Sequence, residues 1–271
     1  MRAEAVAKIT RLYPFSSGCG ALANHPLVHT LAGRPTGEAW VGVEGGKLLV
    51  SLDDHVGRAA FYVGDLDRKV SAVIDRFVKP GDTVLDIGAN IGLVSLRLSE
   101  RVGARGTVHA FEPNPLLSRR LIRSLDENDI TNVRVHEFAL GEKSSTLPMS
   151  VPAGNAGAAS LVPGRGRGGT TLNVPVRRLD DLICDRIAFA KIDVEGFEEN
   201  VLRGFSRTLT QSPPSMILFE QNEPRGAAIS LLREVGYDIA GIAKTFWKLT
   251  LEPVSSWSPA YNDYLATLRC R

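Results

Sequence analysis

Cysteine is scarce in this sequence, and neither sign of charge is in excess. Cys19, Cys184 and Cys270 are odd in number and far apart, which argues against a disulfide framework and favours a reducing compartment. The formal net charge of +2 lacks the basic excess typical of nucleic-acid-binding domains. No apolar run reaches the roughly 18 residues that suggest a membrane span, and the N-terminus lacks the apolar core of a signal peptide. We therefore expect a cytoplasmic protein without a membrane span that does not bind nucleic acid.

What the sequence contains is an alternation of strand and helix patterns. Apolar residues make up 44% of the chain, enough to fill a sizeable core. Strands are predicted at residues 84–87, 107–112, 133–138, 188–192, 215–220, 237–242 and 263–268. Because strands and helices that alternate at this spacing form βαβ units, we predict an α/β fold around a parallel sheet.

Residues 1–65 are predicted to form an N-terminal extension. Prolines and glycines interrupt its helical fragments, and two alternating apolar runs between residues 40 and 52 predict a β-hairpin. An amphipathic helix follows at residues 66–77. No linker divides the remaining chain, so we assign residues 66–271 to one domain.

The glycine-rich stretch at residues 152–171 interrupts the alternation of strands and helices. We expect an irregular loop there, either a lid over a site or a solvated segment. Arg165 and Arg167 in this stretch either meet an acidic substrate group or are simply solvated. Extended structure resumes at residues 173–176, and a short helix is expected at residues 179–182.

The most informative stretch is DIGANIG at residues 86–92. A buried strand ends in an acid, two glycines follow four residues apart, and a helical pattern starts at once. The missing side chains at Gly88 and Gly92 would let a ligand approach the backbone closely. This turn does not follow the dinucleotide fingerprint G-x-G-x-x-G, and Asp86 would repel a pyrophosphate but attract the cationic end of S-adenosylmethionine (SAM). The loop therefore favours SAM over NAD.

Acidic residues stand at or near the carboxyl ends of four predicted strands. They are Asp86, Glu112, Asp193 and Glu220. In an open α/β sheet, ligands bind outside these strand ends. Glu112 follows Gly92 by twenty residues, the place where a carboxylate accepts both hydroxyl protons of a ribose.

Three motifs in their order resemble those of the FkbM-type methyltransferases. They are DIGANIG at residues 86–92, HAFEPNP at 109–115 and KIDVEGFE at 191–198, and residues 155–157 and 179–182 are also similar. The resemblance covers roughly residues 40–268. It implies a class I SAM-dependent fold with a seven-stranded, mostly parallel sheet, helices on both faces and an antiparallel last strand. It also implies methyl transfer to a hydroxyl of a natural product, sugar or similar small molecule, with S-adenosylhomocysteine (SAH) as product. The cofactor residues carried over are Asp86, Gly88, Asn90, Gly92, Glu112 and Ala139.

Transfer to a hydroxyl is helped by a general base that removes the proton. All five histidines precede the fourth strand, so the expected bases are carboxylates. We predict that Asp193 orients or deprotonates the acceptor, with Glu195 and then Glu220 as further candidates. In a competing interpretation, Asp193 and Glu195 only hold the following helix N-terminus by accepting backbone N–H bonds.

Several alternatives stay open at this point. Asp193, Glu195, Glu198 and Glu220 could supply oxygen ligands to a divalent metal ion, but Glu198 pairs equally well with Arg203, and no metal site is assigned. A nicotinamide-dependent oxidoreductase and a non-catalytic methyltransferase-like module are the alternative functions. A homo-oligomer is compatible with the sequence.

The acceptor pocket is expected to form from three parts of the chain. They are the N-terminal extension, the loop around Asn155 and residues 245–261. The last part carries Phe246, Trp247 and Trp257, which could stack on an acceptor but are more typical of core or oligomer contacts.

Overall fold

The computed structural model describes residues 2–15, 18–165, 168–183, 185–224, 226–243 and 248–269. The helices are α1 Arg2–Thr10, α2 Cys19–Ala23, α3 Pro26–Ala32, α4 His55–Val63, α5 Arg68–Phe77, α6 Leu93–Val102, α7 Pro115–Glu127, α8 Glu198–Arg203, α9 Ser206–Gln211 and α10 Ala228–Glu234. The strands are β1 Glu38–Val43, β2 Gly46–Ser51, β3 Thr83–Ile87, β4 Thr107–Phe111, β5 Val133–His136, β6 Ala139–Leu140, β7 Ser145–Val151, β8 Thr170–Arg177, β9 Phe189–Ile192, β10 Met216–Glu220, β11 Tyr237–Ile242, β12 Leu251–Pro253 and β13 Asp263–Leu268. Short 3₁₀ helices span Ala156–Ala158 and Leu179–Asp181.

The main sheet confirms the predicted α/β class. Within the described ranges it has eight strands in the order β12-β11-β13-β10-β9-β3-β4-β5. Neighbours from β10 to β5 are parallel, and β13 runs antiparallel to both β10 and β11, as expected for the last strand. The sheet exceeds the expected seven strands because β12 pairs with β11 at one edge. Strand β12 has only three residues and no apolar alternation, so the sequence carries no signal for it.

The chain reverses its direction across the sheet at β3. From β3 it passes through α6 to the neighbour β4, and it later returns to pair β9 on the other side of β3. Such a switch point leaves a crevice outside the carboxyl ends of the central strands. The crevice here lies between the loop after β3 and the loop after β9.

A second, three-stranded sheet has the order β6-β8-β7. Only part of β8 was expected from the sequence. Strands β7 and β8 pair antiparallel from Ser145–Val176 to Val151–Thr170, so the glycine-rich stretch between them connects a long hairpin. Its described residues before Thr170 are irregular apart from one 3₁₀ turn and a single β-bridge between Ser160 and Ser150, in agreement with the predicted loop. Arg167 lies outside the described residues.

The N-terminal residues pack against the main fold. The predicted hairpin forms as β1 and β2, and its Val41 and Leu48 share a core with Leu117 and Leu121 of α7. Helix α4 had no prediction. It has only nine residues and none of them is exposed, and a short buried segment of this kind cannot be told from a strand by its pattern alone. The proposed boundary at residue 65 falls between α4 and α5.

Capping at the helix starts follows the sequence closely. Asn114 caps α7 by accepting from the Leu116 N–H, with Pro115 as the first helical residue, as predicted.

The thiol of Cys19 is free and buried, whereas Cys184 and Cys270 lie outside the described residues. Among the helices described, none combines the length and apolar character needed to cross a bilayer.

Candidate active site

The loop between β3 and α6 forms one wall of the crevice. Gly88 and Gly92 have φ of 78° and 95°, and Asn90 has φ of 54° with its Oδ1 accepting from the Ile91 N–H at 2.8 Å. A Cβ at Gly88 would overlap the carbonyl oxygen of Asp193, and one at Gly92 would overlap the side chain of Leu121. The left-handed backbone and the packing of the protein itself therefore require these glycines. The sequence had attributed them to the approach of a ligand.

Glu112 is buried at the end of β4 and closes one end of the crevice. Its Oε2 accepts from the Asn90 N–H and its Oε1 from the Asn114 N–H, each at 2.8 Å. Burial raises the pKa of Glu112 to about 7, against the lowering effect of these two hydrogen bonds. A carboxylate oxygen has two acceptor positions, so each oxygen can accept one further hydrogen bond.

Asp86 lies behind the loop and is fully buried. Its Oδ2 accepts from the Ser95 hydroxyl at 2.6 Å, and its Oδ1 lies 3.4 Å from the Nζ of Lys191. Neither Asp86 nor Gly92 is among the described residues that line the crevice. Asp86 therefore lies behind the crevice wall next to Lys191, and its cofactor role stays a prediction.

Lys191 is a site residue to which the sequence analysis gave no role. Its Nζ donates to the carbonyl of Gly88 at 2.8 Å and lies 3.5 Å from Oδ2 of Asp193. Burial alone would lower the pKa of Lys191, but Asp193 and Asp86 raise it above its ordinary value. A lysine inside a four-residue buried strand was the available signal, because lysine is almost never fully buried unless it is paired.

The crevice is a cavity with about 1270 Å³ of empty space, including open solvent at its mouth. Of the predicted cofactor residues, Gly88, Asn90, Glu112 and Ala139 line it. Apolar side chains near Glu112, including Pro113, Leu117 and Leu140, complete that end.

Residues 152–165, which we call the covering segment, lie across the cavity. Ala156, Gly157, Ala159 and Leu161 line it from this side. The N–H of Ala156 donates to Oδ2 of Asp54 at 2.6 Å, and the hydroxyl of Ser160 donates to the carbonyl of Glu195 at 2.7 Å. The middle of the covering segment is thus held at two points, once by the N-cap of α4 and once by the loop after β9.

Asp193, Glu195 and Glu220 form a carboxylate trio at the other end of the cavity. One oxygen from each lies within 4.8 Å of the others. Burial and the neighbouring Asp193 raise the pKa of Glu195 to about 7 and that of Glu220 to about 9. Asp193 and Glu195 line the main cavity, whereas Glu220 lines a smaller one beside it. The trio can therefore accept hydrogen bonds and take up a proton near neutral pH.

A different carboxylate holds the loop that precedes α8. The N–H groups of Val194 and Gly196 both donate to Oε1 of Glu198 at 3.1 Å. Glu198 thereby fills the structural role that the sequence left open for Asp193 and Glu195. The expected partner of Glu198, Arg203, pairs instead with Glu199. Three carboxylates are also a suitable donor set for a hard divalent cation, but Glu198 is not free to serve as a fourth ligand.

The other sequence candidates lie away from the trio. His109 and His136 stack on neighbouring strands with Nδ1 and Nε2 3.0 Å apart, and burial lowers the pKa of His136 to about 4. Trp257 packs on the core and donates its indole N–H to the carbonyl of Gln221 at 3.0 Å. It is not among the described residues that line either cavity. Phe246 and Trp247 lie outside the described residues.

The fold is an open α/β sheet whose crevice at the switch point is lined by acidic residues from both sides of β3. The methyltransferase FkbM domain matches residues 86–239, more than half of the chain, and the protein belongs to this family. Methyltransferase 1 of Beauveria bassiana (strain ARSEF 2860) is 26% identical over 148 residues. That match covers 46% of this chain and 59% of the relative, so it spans less than two thirds of that protein.

Two solved structures are similar at lower identity. A methyltransferase FkbM from Methylobacillus flagellatus KT is 21% identical with a TM-score of 0.47, and the match covers 69% of this chain and 43% of that one. A SAM-dependent O-methyltransferase from Thermotoga maritima is 13% identical with a TM-score of 0.45, and that match covers 90% of this chain and 82% of the other.

Proposed function

We propose that this protein transfers the methyl group of SAM to a hydroxyl oxygen of a small molecule. The observation that carries the proposal is the pairing of two carboxylate sites in one cavity. Glu112 follows β4, and Asp193 and Glu195 follow β9, so the two sites lie on the two sides of β3, and all three residues line the cavity. The first suits a nucleoside and the second suits a hydroxyl that loses its proton.

The residues at the Glu112 end fit the adenosine part of SAM. Both oxygens of Glu112 keep an acceptor position for a ribose hydroxyl. Ala139 and the apolar side chains near Glu112 offer a flat, uncharged surface for the adenine. Asn90, held by Glu112, fixes the loop against which the rest of the donor would lie.

SAM supplies a methyl group on a sulfonium, and the thioether SAH is the neutral leaving product. The new carbon–oxygen bond forms at the acceptor as the carbon–sulfur bond breaks, and the hydroxyl proton passes to a carboxylate. We assign that proton to Glu195, whose pKa of about 7 suits a general base near neutral pH. Asp193, beside Lys191, orients the acceptor oxygen, and the carboxyl group of Glu220 completes the trio.

Calorimetry with SAM, SAH, NAD and NADP tests the donor. SAM and SAH should bind and the nicotinamide cofactors should not. Binding of NAD or NADP alone would identify an oxidoreductase, and binding of none would indicate a non-catalytic module.

Methyl transfer from [methyl-³H]SAM to a library of hydroxylated compounds then tests the reaction. Once an acceptor is found, Asp193→Asn and Glu195→Gln should keep SAH binding and lose at least about a hundredfold in turnover, the size of a general-base contribution. Full turnover in both variants would refute these two roles.

A further inference from the structure

A second cavity lies on the far side of the carboxylate trio. It has about 380 Å³ of empty space, including open solvent, and six of its nine described lining residues have polar side chains. Glu220, Asn222 and Val162 contribute to it, and Arg165 of the covering segment and Glu223 form an ion pair among its lining residues. Nothing in the donor chemistry described above uses this space.

Neighbouring residues form the wall between the two cavities. Leu161 and Phe197 line the main cavity, whereas their chain neighbours Val162 and Glu198 line the second. The trio stands where the cavities meet, because Glu220 lines the second cavity while its oxygen lies within 4.8 Å of oxygens of Asp193 and Glu195. A molecule in the second cavity would therefore reach the groups proposed to orient and deprotonate a hydroxyl.

We propose that the second cavity binds the body of the methyl acceptor and selects a hydroxyl-rich acceptor without negative charge. This inference rests on the proposed function, and adds the place and the chemical class of the acceptor. The reacting hydroxyl would extend past the carboxylate trio into the main cavity, where the donor binds.

The polar lining accounts for the preference for hydroxyl groups. Burial raises the pKa of Glu220 to about 9, so near neutral pH its carboxyl group can donate as well as accept a hydrogen bond. Asn222 hydrogen-bonds to Glu220 and brings an amide to the same wall. Gln221 is committed to the loop, donating to the carbonyls of Glu223 and Gly226 and accepting from the Ile229 N–H.

The charge of the lining argues against an anionic acceptor. Among the described lining residues Arg165 is the one cation, and its guanidinium is already paired with Glu223. A carboxylate or phosphate in this cavity would lie beside the carboxylate trio without a free cation among the described lining residues, which costs free energy. A neutral polyol would replace its water hydrogen bonds with those of the lining without this cost.

Adjacent residues provide a matched pair of blocking variants. Val162→Trp fills the second cavity and Leu161→Trp fills the main cavity. The probes are neutral methyl hexopyranosides and the matching methyl uronates, measured by saturation-transfer NMR on the SAH-bound protein. We expect neutral glycosides to bind, uronates to bind at least about tenfold more weakly, and Val162→Trp to abolish glycoside binding while keeping SAH binding. Leu161→Trp should instead weaken SAH.

The outcomes separate this inference from the proposed function. Failure of the wild-type protein to bind SAH would refute the proposed function itself. Normal SAH binding without glycoside binding, a preference for uronates, or glycoside binding unaffected by Val162→Trp would each overturn only the acceptor site. If Val162→Trp does not fold, Asn222→Leu removes a polar lining group with little change in volume and should weaken the neutral glycosides about tenfold.

Discussion

The ammonium of Lys191 lies 3.4 Å from Oδ1 of Asp86, and both side chains are almost completely buried. The same ammonium donates to the carbonyl of Gly88 and lies near Asp193. A single buried cation thus connects strand β3, the loop that follows it and the loop after β9. Its removal would affect all three.

Lys191→Met should therefore destabilise the protein strongly. Asp86 would keep its place without a neighbouring cation, and breaking a buried ion pair from one side costs about 3–5 kcal/mol. Denaturant unfolding measures the free energy difference. Lys47→Met is the matched control, because Lys47 pairs with Glu127 at the surface and should cost less than about 1 kcal/mol. Equal, small effects of both substitutions would contradict the role given to Lys191.

Glu112→Gln should weaken SAH binding by at least about tenfold, since one ribose acceptor becomes an amide donor. The amide would also face a backbone N–H of Asn90 or Asn114, so some loss of thermal stability is expected. Calorimetry with SAH measures the affinity and a thermal scan confirms folding. Glu127→Gln, on the exposed end of α7, should change neither quantity. An unchanged SAH affinity in folded Glu112→Gln would remove Glu112 from the donor site.

Asp54→Ser separates two tasks of one carboxylate. Oδ1 of Asp54 caps α4 through the Val56 N–H, and Oδ2 holds Ala156 of the covering segment. Serine is a good N-cap but has one oxygen, so the cap survives while the hold on the covering segment is lost. SAH should dissociate about tenfold faster, as expected for a lost hydrogen bond to a charged group.

Stopped-flow or surface-plasmon measurements give the dissociation rate of SAH. Asp53→Ser is the control, because Asp53 accepts from the Gly37 N–H at an exposed position next to Asp54. Dissociation that is equally fast in both variants, or unchanged in Asp54→Ser, would show that the covering segment does not retain the donor.

Glu220→Gln should stabilise the unliganded protein in alkaline solution. The pKa of Glu220 is raised from 4.5 to about 9, chiefly by burial and by Asp193. Between these values the folded protein keeps a proton that the unfolded chain has released, so the stability from this group is complete below pH 4.5 and falls as the pH rises toward 9. Glutamine does not titrate and avoids this loss.

Thermal scans at pH 5 and pH 8.5 test whether the stabilisation by Glu220→Gln increases with pH. At pH 8.5, Glu220→Gln should melt at a higher temperature than the wild-type protein, by about 2–4 °C for each kcal/mol recovered. At pH 5 the difference in melting temperature between the two proteins should be much smaller. The exposed Glu127→Gln should show no such dependence. A larger stabilisation at pH 5 than at pH 8.5 would reverse the assigned direction.

Local patterns predicted most of the main sheet. Strands β11 and β13 have the predicted bounds, and Asn114 caps α7 as its sequence indicated. These features depend on near neighbours in the chain. Helix α4 and strand β7 depend on distant partners instead: α4 is buried from several sides, and β7 pairs with β8 across the whole glycine-rich stretch.

The site divides in the same way. Strand-end acids were found because the carboxyl ends of parallel strands meet at one edge. The sequence did not reveal that Lys191 lies between Asp86 and Asp193, or that Asp54 holds a segment about one hundred residues away. Both depend on side-chain directions after folding. The separation of Glu220 from the main cavity depends on the shape of the covering segment, which has no repeating pattern.

The wall formed by Leu161 and Val162 has a consequence for how this protein could diversify. A substitution at Val162 changes only the second cavity, whereas one at Leu161 changes only the main cavity. A duplicated gene could therefore acquire a new substrate through single substitutions while its donor contacts stay under selection. Loss or gain of one residue next to Leu161 and Val162 would exchange the sides of the wall that these residues line and would disrupt both cavities.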